Sequence, residues 1–139
     1  MVKHYNPNPT CKFFKSGKPK NWYINDSAVR AIAKVFDTTW ETAYDMLCKA
    51  GLALHDIPIS KQAISFILEK NGFQFVTLGK PKKGEPRPSV EEFTKDLDKS
   101  ALMYVLNLAD YFVTVSDGDI YDVSEECLKS AVYSYWIKK

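Results

Sequence analysis

The hydrophobic period of the chain changes once, at Gly72, and that switch limits the fold more than any other feature. Before it, apolar residues recur at helical spacing. Ala28, Val29, Ala31, Ile32, Ala33, Val35 and Phe36 follow Asp26 and Ser27, with only Arg30 and Lys34 interrupting them, which predicts a helix buried on nearly all sides. Either Asn25 or Asp26 can cap it. Trp40, Ala43, Tyr44 and Leu47 repeat at i, i+3, i+4 and i+7 after Thr38 or Thr39, and Gly51 is expected to end that second helix. Ser60 opens a third, striped by Ala63, Ile64, Ile67 and Leu68 and stopped by Asn71-Gly72.

Past Gly72 the period is two. Phe73, Phe75 and Thr77 alternate with Gln74 and Val76, and the runs 101–106, 111–115, 120–123 and 132–137 read as further strands, with Asp117-Gly118 as a hairpin turn. The segment 79–88 carries Lys80, Lys82, Lys83 and Arg87 among Pro81, Pro86 and Pro88, so it cannot enter a sheet interior and reads as a basic loop. Ser89 caps a short helix over 90–95. Helices first and strands afterwards predict an α+β domain, N-terminal helices packed on a small antiparallel sheet. Residues 1–21, broken by Pro7, Pro9, Gly17 and Pro19, read as an extended arm on a core spanning 22–139, the whole forming a single domain, 1–139.

Composition excludes several classes. At 45% hydrophobic and 26% charged, 139 residues can bury a core and are not disordered. A net charge of +2 calls for no sequence-specific nucleic acid and leaves an anionic partner open. Cys11, Cys48 and Cys127 form neither CxxC spacing nor an even set, and with His4 and His55 as the two histidines no metal and no cofactor is expected. No apolar run reaches the ~20 residues of a spanning helix and no signal-like core precedes residue 22, so no membrane partner and a cytoplasmic location, in the host cell, are expected.

Several motifs together resemble a family of small proteins of bacterial mobile elements and phages, assigned to the papain-like cysteine-peptidase fold. They are Asn6-Pro7-Asn8-Pro9, the run Asp26-Ser27-Ala28-Val29-Arg30-Ala31-Ile32, Trp40 with Tyr44 and Leu47, Gly51 with Asp56-Ile57-Pro58, the stretch 111–122, and Tyr135-Trp136, in the family's order along almost the whole chain. The resemblance implies that Ser27 replaces the nucleophilic Cys at a helix N-terminus and Tyr111 replaces the general-base His. Asp122 matches the residue that would orient that base. A serine hydroxyl needs a real base within reach, and a phenol, with an ordinary pKa of about 10, is a poor one. Loss of one member of such a unit costs on the order of 10⁴-fold in rate. The resemblance therefore implies a pseudo-peptidase, with Ser27, Tyr111 and Asp122 as degenerate catalytic positions.

What such a cleft keeps is a helix start, whose unpaired N–H groups and positive dipole end favour an anion. Trp22, Tyr23, Asn25, Asp26, Ser27, Arg30 and Tyr111 are the expected ligand-binding residues, with the basic loop nearby. A plainer reading has Arg30 paired with Asp122 or Asp26, Ser27 as a helix cap, and the aromatic residues in the core. The leading expectation is a non-catalytic, phage- or mobile-element-encoded protein that sequesters a small nucleotide-like host molecule, such as an immune signal, in an anti-defence role. The alternatives are an inhibitor that binds a host enzyme and a residual hydrolase using Ser27. A homo-oligomer fits small captors that build pockets between subunits.

Overall fold

The computed structural model describes residues 1–8, 25–98, 100–109 and 111–139. The rest of the expected arm, with Cys11, lies outside them. In chain order the described elements are β1 (Val2–His4), α1 (Ser27–Val35), α2 (Trp40–Leu54), α3 (Lys61–Lys70), β2 (Gln74–Thr77), α4 (Val90–Lys95), β3 (Met103–Asn107), β4 (Phe112–Ser116), β5 (Asp119–Asp122), a 3₁₀ helix (Glu125–Lys129) and β6 (Ser134–Lys138). The architecture is α+β, as the change of period requires. No described helix is long and apolar enough to cross a membrane.

The strands form one sheet in the order β1-β5-β4-β3-β6-β2. Its pairs are antiparallel except β1 with β5, which is parallel, so the sheet is mixed rather than purely antiparallel. Side chains alternate between its faces. One face carries Val105, Phe112 and Trp136, which pack against Ile32, Leu47, Ile64 and Leu68 of α1, α2 and α3. Trp136 is fully buried and donates its indole N–H to Ser65 Oγ at 3.0 Å. The other face carries Tyr104, Leu106, Val113, Val115 and Ile120, covered by Val90 of α4 and Cys127 of the 3₁₀ helix.

Two expectations are corrected. Residues Val2–His4 of the expected arm are an edge strand, Val2 opposite Ile120 and His4 opposite Asp122; three residues are too few to show a period. Gly51 does not end α2. The helix runs on to Leu54 and closes at His55, whose φ of 54° places it in the left-handed region. Gly51 is required for another reason: a Cβ there would lie 2.7 Å from the carbonyl oxygen of Asp56.

Candidate functional site

α1 is buried from Ser27 through Ala33 between the sheet and α2, so its one arginine has to be neutralised within the protein. Arg30 Nη1 pairs with Asp26 Oδ1, one helical turn back. Its Nη2 donates to the Tyr111 hydroxyl at 2.6 Å and lies 3.4 Å from Asp122 Oδ1. Tyr111 in turn donates to Asp122 Oδ1 at 2.6 Å. The second oxygen of Asp26 accepts from Asn8 Nδ2 at 2.9 Å and from the Trp40 indole N–H at 3.0 Å. Two buried carboxylates thus share one guanidinium, with neutral donors completing the shell, as buried charge demands.

Asp26 and Arg30 are two of the residues expected to bind a ligand. Both are at least nine-tenths buried and hold each other, and Asp26 makes no side-chain cap to α1. The plainer reading of Arg30 as a structural ion pair holds with both candidate carboxylates at once. Asn8, in the Asn-Pro repeat, and Trp40 are members that the sequence did not assign to it.

Burial drives the Tyr111 phenol far above its ordinary pKa, helped by its hydrogen bond to Asp122 and opposed by Arg30. It stays protonated and donates to a carboxylate. Cys127 lines the same cavity of about 490 Å³, with Arg30, Tyr111 and Asp122. Burial, then the charge of Asp122, pushes its thiol up to about 12, so it is no thiolate nucleophile at neutral pH.

Ser27 lies elsewhere. Its Oγ accepts the backbone N–H of Phe112 at 3.2 Å, and it lines a separate cavity of about 300 Å³ with Asn25, Lys61, Asn107 and Phe112. The expectation that Tyr111 faces Ser27 across one cleft is therefore corrected. Alternation along β4 is the reason: Phe112 faces the α1 side, as does Thr114, whose hydroxyl donates to Ala31 O at 3.1 Å, while Tyr111 packs with the opposite core. Asn25 joins Ser27, and Trp22 and Tyr23 lie outside the described residues. Neither histidine lines this cavity: His4 directs Nδ1 to the Val123 carbonyl oxygen at 3.1 Å, and His55 is the exposed cap of α2.

The Ser27 cavity is where the helix starts gather. α1 opens on it without a side-chain cap, and Ser60 and Lys61, at the start of α3, form part of its wall. Ile57, Ile59 and Phe112 supply an apolar side and Asn107 an amide that also donates to Ser134 Oγ at 3.0 Å. Sequence reasoning missed Ser60, Lys61, Asn107 and Phe112, because only the fold brings α3 and the end of β3 beside α1. No protein-family model matches the chain, and no curated protein or solved structure is similar to it.

Proposed function

We propose that the chain is a non-catalytic receptor on a papain-like scaffold, a pseudo-peptidase of phage or mobile-element origin that captures a small anionic, nucleotide-like molecule in the Ser27 cavity. The observation that carries this reading is that the uncapped start of α1 and the start of α3, with Lys61 in its first turn, border one cavity of about 300 Å³, Lys61 Nζ resting 4.7 Å from the centre of the Phe75 ring. Helix starts present N–H groups and a positive dipole end, which suit a phosphate, and the volume is that of a small-molecule site. The apolar side formed by Ile57, Ile59 and Phe112 suits a base or a ribose edge.

The same cavity argues against turnover. The β4 ring beside Ser27 is Phe112, which cannot take a proton, and the one hydrogen-bond partner of the Ser27 hydroxyl among the described residues is a main-chain N–H. Without a base in reach, the hydroxyl has no route to an alkoxide at neutral pH.

Titration calorimetry against cyclic dinucleotides and ADP-ribose-type nucleotides tests the reading. We expect at least one to bind, Lys61→Ala to weaken it by about tenfold, as the loss of one charged contact does, and the bound nucleotide to be recovered unchanged by mass spectrometry. Absence of heat from every nucleotide would remove the receptor. An adduct of a serine-directed fluorophosphonate at Ser27 would instead install the hydrolase.

A further inference from the structure

The sheet face turned away from α1, α2 and α3 is only partly covered. Over β2 and β6 it opens into a trough of about 580 Å³ beside α4. Three rings are packed together at its floor: the Phe93 centroid lies 5.0 Å from that of Tyr135 and 6.2 Å from that of Tyr104, and the two tyrosines are 5.8 Å apart. Carboxylates of Glu92, Asp96 and Asp98 stand on the wall. Lys139 Nζ reaches Asp98 at 3.3 Å. The Asp96 carboxylate has no hydrogen bond or ion pair among the described residues. An aromatic floor with an acidic wall suits a cation on an apolar stem.

The chain carries a segment of matching chemistry. Lys80, Pro81, Lys82 and Lys83 are exposed, and none of these lysines forms an ion pair among the described residues. The base of their loop is clipped by Arg87, which donates to the Gly79 carbonyl oxygen at 2.8 Å and lies 4.4 Å from the centre of the Tyr133 ring. The loop thus projects from a fixed base, which lowers the ordering cost of docking. Pro81 restrains the backbone between Lys80 and Lys82, and the chain then turns at 82–85, Glu85 donating its N–H to the Lys82 carbonyl oxygen at 2.9 Å, so that Lys80, Lys82 and Lys83 are presented together on a short, constrained segment. Loop and trough adjoin: the loop leaves the end of β2, and Gln74 and Val76 of that strand, with Pro88 at the loop's far end, line the trough.

We infer that this trough is the docking surface for a second copy of the chain, each copy laying its Lys80–Pro81–Lys82–Lys83 segment on the aromatic floor and acidic wall of the other. Adjacent, complementary donor and acceptor patches on one flank allow a reciprocal exchange about a twofold axis. This site is separate from the Ser27 cavity, so Lys61→Ala leaves the assembly intact whether or not that cavity binds nucleotides.

Sedimentation velocity on the full chain across a concentration series tests it. At low salt we expect a species of twice the 15.9-kDa monomer mass to grow in with concentration, and its dissociation constant to rise about tenfold between about 0.05 and about 0.5 M NaCl. Lys80→Glu with Lys82→Glu and Lys83→Glu, or Glu92→Lys with Asp96→Lys, should each give monomer, and an equimolar mixture of the two variants should restore the dimer. A synthetic peptide of residues 79–88 should dissociate the wild-type dimer without any change to the protein itself. A single monomeric species at every concentration overturns the inference. So does a dimer indifferent to both the loop variant and the peptide.

Discussion

Tyr111 joins two buried charges, accepting from Arg30 and donating to Asp122, and so keeps its proton. An unfolded tyrosine begins to release its proton near pH 10, and the folded one holds on to it well above that. Above about pH 10 the folded state therefore binds more protons than the unfolded state, and stability falls as pH rises. Cys127 acts in the same sense, its thiol raised to about 12 when folded. We expect Tyr111→Phe to cost about 1–3 kcal/mol at pH 7 in urea unfolding, since it leaves Arg30 and Asp122 short of a partner, and to flatten the decline in stability between pH 10 and 11. An equally steep decline in the variant would refute the assignment. At this scale the sequence was half legible. A lone arginine in an apolar helix announces that it needs a carboxylate, but which carboxylates and which neutral donors answer it depends on residues as distant as Asn8 and Asp122.

The helices follow their local signals closely. The expected caps Thr39, Ser60 and Ser89 each accept a main-chain N–H three residues on, at 3.2, 3.0 and 3.2 Å, because a hydroxyl before an apolar stripe satisfies a first-turn donor wherever the helix packs. Gly51 shows where such reasoning stops. As a residue it reads as a helix end, yet it sits inside α2 so that the chain at Asp56 to Pro58 can return against the helix. Alanine is about 1 kcal/mol better than glycine within a helix, but the Cβ would meet main-chain atoms at 2.7 and 3.2 Å, which cannot swing aside. We expect Gly51→Ala to destabilise the protein by about 1–3 kcal/mol, the usual cost of overpacking, read as a lowered melting temperature with the helical circular-dichroism signal retained. A raised melting temperature would mean that the return segment is free to move.

In the whole molecule, coverage and pairing fall off from β3 in the middle of the sheet to β1 at its edge. β3 lies between β4 and β6 and is covered on both faces, whereas β1 is three residues long and pairs only with β5. Amides of β3 should exchange with solvent only through global unfolding, and those of β1 at least about 100-fold faster, by local fraying. Hydrogen exchange followed by NMR checks this, and equal protection of the two strands would show that the N-terminal strand unfolds only with the core. The sequence by itself determined the helices, the change to strands after Gly72, most caps and the hairpin turn, because periodicity, capping and turn chemistry act within a few residues of chain. Only the tertiary structure decided strand order, the parallel pairing of β1, and which of Tyr111 and Phe112 stands beside Ser27. Those outcomes depend on the face to which each side chain points and on contacts between residues far apart in the chain, and a shift of one position along a strand reverses the first and remakes the second.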